Sequence, residues 1–212
     1  MSKIINIDFE TYTLADINGQ DNWALGPANV GGSIDAIAGV SAAWQSTNTG
    51  STHYVRPFDT GILPGDELAQ GVWYKLKFDY YLSSGLATCH TITSLTNSVG
   101  QAPFAIKVIR GFGGSDGIQL IDGGNVAHLL GVYSFDAWHT VEVTRDANGK
   151  VTVSVDSVPQ PGSFFAYPAS NVEQLALYSI DFGSVVANAF RWDNIVAYVR
   201  EGDTEYKYFL GR

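Results

Sequence analysis

The sequence predicts an all-β protein, an antiparallel sandwich or barrel in one domain, and three observations carry that prediction. Apolar residues recur with a period of two in many short runs, the mark of half-buried strands. Turn residues, among them 23 glycines, separate those runs. No stretch of a dozen residues shows the 3.6-residue period of an amphipathic helix.

The elements follow in order. Ile4 to Phe9 reads as a first strand. Asp16 to Trp23, DINGQDNW, is a turn cluster closed by an aromatic ring. Ala36 to Trp44, small and apolar, reads as one buried strand, and Thr52 to Phe58 as the next, stopped by Pro57. Val72 to Leu82 is the longest alternating run: Tyr74, Leu76, Phe78 and Tyr80 share one face, and Trp73, Lys75, Lys77, Asp79 and Tyr81 the other. The lysines mark the second face as exposed, which brings Trp73 and Tyr81 toward solvent. Leu86 to Ile92, Phe104 to Arg110, Gly117 to Ile121 and Val126 to Val132 continue the series, and Gln174 to Phe182 and Ala189 to Val199 close it. The expected layout is one domain over residues 1–200, with a charged and aromatic tail over 201–212.

The register of one hairpin is decided by side-chain pattern. In Ala137 to Asp156, a two-residue Asn148-Gly149 turn would set Val143 opposite Ser154. A three-residue loop, Ala147 to Gly149, sets Val143 opposite Val153 and Val141 opposite Val155. A slip of one residue exchanges the faces, so the matching valines select the longer loop. It predicts a type I turn from Asp146, Gly149 in the left-handed conformation, and a bulge. An outward polar strip results: Thr140, Glu142, Thr144, Thr152, Ser154 and Asp156.

Composition narrows the function. The chain has 212 residues, is 45% hydrophobic and 16% charged, and carries a net charge of −9. That supports a sizeable core, and the acidic balance disfavours nucleic acid and anionic membranes as partners. The N-terminus lacks the apolar core of a secretion signal, so synthesis in a cytoplasm without a signal peptide is expected. The lone Cys89 has no intrachain disulfide partner.

The hairpin from Trp138-His139-Thr140-Val141 to Val155-Asp156 resembles the laminin-G-like and concanavalin A-like jelly-roll families. These often run from Trp-His through a strand and turn to Val-Asp-Gly; Ser157 departs from the final glycine. Ile7-Asp8-Phe9-Glu10 and Phe190-Arg191-Trp192-Asp193-Asn194-Ile195 look like their first and last strands, which commonly lie side by side. The resemblance implies a concanavalin A-like, antiparallel two-sheet jelly-roll β-sandwich, with glycan binding as its commonest task. It also implies a structural Ca²⁺ where the terminal strands meet, with Asp8 and Asp193 as ligands and Glu10 and Asn194 nearby; hard oxygen donors suit that ion.

Catalytic patterns of such folds are incomplete here. The alternating carboxylates of the glycoside hydrolases are missing, and Glu142 with Asp156 is the nearest same-face pair. Tyr206-Lys207-Tyr208-Phe209 echoes the tyrosine strand of jelly-roll lyases without their arginine and histidine motifs. The four histidines lack zinc spacing. Ser, His and Asp are present without a Gly-x-Ser-x-Gly elbow. The glycine run Arg110 to Asn125 misses the dinucleotide spacing and reads as loops between strands. Aromatics remain, with Trp73, Tyr81 and Trp138 as candidate contacts for a glycan or a protein partner.

The expectation is therefore a non-catalytic structural or adhesion protein of a particle surface, such as a bacteriophage capsid decoration, cement or tail component. It would self-assemble as a homo-oligomer among subunits of the same particle, with the tail as a contact arm. A lectin-like carbohydrate-binding module is the alternative, and a polysaccharide-degrading enzyme the third reading.

Overall fold

The computed structural model describes residues 2–26, 33–37, 41–45, 51–60, 72–84, 89–96, 102, 104–112, 115–122, 124–131, 134–146, 148–162, 164–165, 172–181 and 190–200. The tail at 201–212 and the side chain of Trp73 lie outside the described residues. In chain order the strands are β1 Ser2–Ile7, β2 Ala24–Leu25, β3 Ser33–Ile37, β4 Ser41–Gln45, β5 Ser51–Pro57, β6 Asp59–Thr60, β7 Val72–Leu82, β8 Cys89–Thr96 and β9 Ala105–Phe112. They continue as β10 Ser115–Ile121, β11 Ala127–Gly131, β12 Trp138–Asp146, β13 Lys150–Val155, β14 Val158–Pro159, β15 Phe164–Phe165, β16 Gln174–Asp181 and β17 Phe190–Arg200. Among the described residues no helix is long and apolar enough to cross a membrane.

The strands form two antiparallel sheets. One has the order β14-β13-β12-β7-β17-β1-β6, with β15 on β13 and the β3–β4 pair joined to β17 through β4. The other has the order β11-β10-β9-β8-β16-β5-β2. The first and last strands do lie side by side, with Ile7 opposite Ile195 and Ser2 opposite Arg200. Each inner face follows its alternation: Tyr74, Leu76, Phe78, Tyr80 and Leu82 of β7 are buried against Leu95, Ile106, Val108, Leu175 and Leu177 of the second sheet. Trp192 is fully buried and donates its indole N–H to Thr93 Oγ1 at 3.0 Å, a hydrogen bond from one sheet to the other.

The hairpin has the expected register. Val141 pairs with Val155 and Val143 with Val153. Gly149 has φ +83°, and its N–H donates to Asp146 O at 3.1 Å. The Asp146 carboxylate accepts the N–H groups of Asn148 at 2.8 Å and Lys150 at 2.9 Å, so one side chain holds the whole turn. A Cβ at Gly149 would have to adopt a left-handed conformation. Gly149→Ala is accordingly expected to cost about 1–2 kcal/mol in a urea melt; an unchanged midpoint would mean that the turn relaxes to another type.

The turn cluster at Asp16 to Trp23 is pinned from below. Arg56, 3% exposed, makes a two-point contact with Asp21, Nη2 to Oδ1 at 2.9 Å and Nε to Oδ2 at 3.1 Å. Tyr12 donates to Asp21 at 2.8 Å, and Tyr54 to Asp16 at 2.6 Å. Burial, and then these carboxylates, push both phenols well above their usual range.

Several elements differ from the sequence expectation. The apolar run Ala36 to Trp44 falls on two strands, β3 and β4, which pair antiparallel with Ala36 opposite Ala42. The strand expected at Leu86 to Ile92 is seen from Cys89 and runs on to Thr96 as β8, and Leu86, Ala87 and Thr88 lie outside the described residues. Within the glycine-rich stretch two glycines lie in strands and not in loops, Gly111 in β9 and Gly117 in β10, where the register shifts. Gly124 stands in the turn before β11, and Gly113, Gly114 and Gly123 lie outside the described residues. A Cβ on Gly117 would come within 2.7 Å of Gly131 O, so this glycine permits the close approach of β11.

Candidate functional site

The register of three strands assembles an aromatic and cationic ladder on the outer face of the first sheet. Trp138 of β12 is the direct partner of Tyr81 of β7, and Tyr81 of Arg191 of β17. The rings of Tyr81 and Trp138 lie 5.7 Å apart at 52°. The Arg191 guanidinium sits 5.1 Å from the centre of the Tyr81 ring. Tyr81 is half-buried between these neighbours, whereas Trp138 is 46% exposed and presents a free platform. The Tyr81 hydroxyl donates to Asp136 Oδ1 at 3.2 Å, which also accepts the Ser84 N–H at 3.0 Å. The bonds from Ser84 and Tyr81, with the charge of Arg110, hold the Asp136 carboxyl below its ordinary range. Arg110 in turn lies over the exposed Phe135 ring at 4.3 Å.

Of the three predicted contact residues, the structure thus brings together Tyr81 and Trp138. Trp73 stands eight residues from Tyr81 on the same strand, roughly 27 Å away at strand rise, so it is no part of this ladder. Arg191, Asp136, Phe135 and Arg110 were not foreseen. Their contribution depends on strand register, which no local pattern in β17 or in the loop before β12 reveals.

The carboxylates at the terminal strands gather charge. A bulge in β17 between Asp193 and Val196 places Asn194 at φ +47°. Asn194 Nδ2 donates to Asp79 Oδ2 at 2.8 Å, and Thr140 Oγ1 donates to Asp79 Oδ1 at 2.6 Å. Burial raises the Asp193 carboxyl to about 6, with repulsion from Asp79, Asp8 and Glu10 added against a bond from the Asn194 N–H. One oxygen of Asp8 accepts the Glu10 N–H at 3.2 Å, and one of Asp193 accepts the Asn194 N–H at 2.8 Å. Among the described residues, no three metal-ligating side chains converge. Asp8 and Asp193 are electrostatic neighbours, and a calcium ion between the terminal strands rests on the sequence resemblance.

The expected same-face pair of Glu142 and Asp156 is not kept. Glu142 stays on the polar strip, 3.3 Å from Lys75 Nζ, beside the Thr144–Thr152 hydroxyl pair at 2.6 Å. Asp156 leaves the strip with φ +51°, and its carboxylate turns to His139.

A second concavity lies on the outer face of the other sheet. It is a cleft of about 460 Å³ whose walls include His53, Ile92, Phe104, Lys107, Asn125 and Tyr178. His53 and His90 flank Tyr178, with ring centres 5.6 Å and 6.3 Å away. Burial lowers His53; burial and then Lys107 push His90 down to about 4. Burial lowers Lys107 as well. The imidazoles are therefore uncharged at neutral pH. The sequence reading missed this group because its members stand on three strands, β5, β8 and β16, far apart in the chain.

Comparison with known proteins bears on the fold. No protein-family model matches the chain, and no curated protein matches it in sequence. Solved structures do match in fold. The CBM2 module of Lactobacillus casei BL23 phage J-1 evolved Dit superposes with a TM-score of 0.61 at 10% identity, over 95% of this chain and 98% of that one. A Bacillus licheniformis β-glucanase gives 0.57 at 10% identity, over 93% and 98%. A sialidase gives 0.58 at 12% identity, where 93% of this chain spans only 19% of that protein. The chain has the fold of the jelly-roll, concanavalin-like sandwiches, two antiparallel sheets around one core.

Proposed function

We propose that this chain is a carbohydrate-contacting jelly-roll module that serves at a particle surface, in the manner of a bacteriophage decoration or tail component. The observation that carries this reading is the exposed Trp138 platform beside Tyr81, bracketed by Arg191 and Asp136. The apolar face of a pyranose packs on such a ring, while the flanking charged groups meet its hydroxyls. Binding, and not cleavage of a glycosidic bond, is what this arrangement supports. Glu142 is ion-paired and Asp156 is committed to His139, so the two do not flank a common space as acid and nucleophile. The likeness to a phage module over nearly its full length supports service on a virion.

The same ladder could instead seal a contact between subunits, since exposed aromatics with arginine also mark protein interfaces. A glycan array combined with sedimentation separates the two. Wild type is expected to bind a defined sugar set, and Trp138→Ala to weaken that binding roughly tenfold, about 1.4 kcal/mol. If Trp138→Ala leaves sugar binding intact and splits an oligomer, the ladder is an interface. If sugar binding falls only with Tyr178→Ala, the glycan sits in the cleft of the second sheet.

A further inference from the structure

At the rim beside the ladder, three side chains stand in a row whose geometry the binding reading does not use. His139 Nδ1 lies 2.7 Å from Asp156 Oδ2, and His139 Nε2 lies 3.0 Å from Ser134 Oγ. Asp156 is held from its other oxygen, which accepts the Thr140 N–H at 2.9 Å. The imidazole ring packs on the buried Tyr80, with centres 5.4 Å apart at 31°. Its side chain is 12% exposed, while Ser134 is open to solvent.

The tautomer follows from these contacts. Burial alone would raise the Asp156 carboxyl, but the bonds from His139 and Thr140 hold it below its ordinary range, so at neutral pH it is an acceptor only. Nδ1 must then carry the hydrogen that meets it. In the neutral ring this leaves Nε2 as a lone pair, and the Ser134 hydroxyl donates to it. Nε2 also lies 3.2 Å from Ser134 O, a contact that is satisfied only when the ring is protonated on both nitrogens. The two contacts suit the two protonation states through which a general base passes.

We propose that Ser134, His139 and Asp156 form a nucleophilic relay that hydrolyses a carboxylic ester. Ser134 Oγ attacks the ester carbonyl carbon while His139 Nε2 takes the hydroxyl proton. The tetrahedral centre collapses, the C–O bond to the alcohol breaks, and His139 returns the proton to the departing oxygen. Water then attacks the acyl-serine and gives a proton to His139; the acyl C–Oγ bond breaks, the acid leaves, and His139 returns the proton to Ser134 Oγ. Asp156 is a positioning residue that fixes the ring and its tautomer. Trp138 and Phe135 are exposed at the positions next in sequence to His139 and Ser134, and Trp138 faces the outer side of β12, opposite to His139. Placing the acyl group on a carbohydrate hydroxyl rests on the binding reading above alone; the relay itself does not.

The test uses the full chain with p-nitrophenyl acetate and a fluorophosphonate probe, neither of which needs a glycan site. Wild type is expected to hydrolyse the ester above the buffer rate and to carry the probe on Ser134 by peptide mass spectrometry. Ser134→Ala, on an exposed loop, should fall to background with an unchanged melting midpoint. Asp156→Asn should lose on the order of 10⁴-fold in rate through the wrong tautomer. Hydrolysis that persists in Ser134→Ala, or a probe that never reaches Ser134 in folded wild type, overturns the relay and leaves the three residues as a clasp between the loop and the hairpin. Either result leaves the glycan-array outcome untouched.

Discussion

Trp192→Ala is expected to destabilise the protein by about 3–5 kcal/mol, the cost of deleting a large aromatic from a packed core. For a chain of this size that lowers the midpoint by roughly 6–20 °C. The side chain has no exposed surface and packs edge-on against Phe190, with ring centres 4.6 Å apart. It also reaches across the sandwich to Thr93. Trp192→Phe separates the two contributions. It keeps much of the apolar volume but orphans the Thr93 hydroxyl, at a cost of about 1–3 kcal/mol. Thermal melts of both variants measure this. Equal midpoints for Trp192→Phe and wild type would show that the inter-sheet hydrogen bond adds nothing.

Asp193→Asn is expected to stabilise the protein at pH 7.5 and to lose that advantage near pH 4.5. The Asp193 carboxyl is raised to about 6 in the fold from an ordinary 3.8. Between those values the native state binds the proton that the unfolded chain has released. Stability therefore falls as pH rises through this window and stays lower above it. Solvent reaches the partly exposed group, so the full linkage value is discounted to about 1–2 kcal/mol. His90 works in the opposite sense: its folded value near 4 lies below the ordinary 6.5, so its contribution grows with pH. Only the difference between variant and wild-type midpoints, taken at each pH, isolates Asp193. A difference that does not change with pH would refute the assignment. Calcium bound here would relieve the same repulsion, raising the wild-type midpoint at pH 7.5 and not that of the variant. A wild-type midpoint unmoved by calcium and by chelator removes the ion from the account.

The sandwich was legible in the sequence because strand alternation is local. In β7 the lysines alone identify the outer face, and the structure buries the opposite one. The hairpin turn was legible for the same reason, since matching valines permit one register and Asp146 and Gly149 supply its chemistry. Tyr81 and Trp138 could be named as outward aromatics from alternation and a fold resemblance. Their meeting could not be read, because it depends on β12 and β7 pairing across 57 residues of chain.

What only the tertiary structure decided are the groups built between strands. Arg191 stacks on Tyr81 because β17 lies beside β7. His53, His90 and Tyr178 converge because β5, β16 and β8 are neighbours. The relay of Ser134, His139 and Asp156 exists because Asp156 takes a left-handed conformation just past β13 and turns its carboxylate away from the polar strip that alternation assigned to it. Periodicity determines which face a side chain takes within a strand. Where strands end and lie side by side is settled by the packing of the whole chain, and every candidate site in this protein lies at such a place.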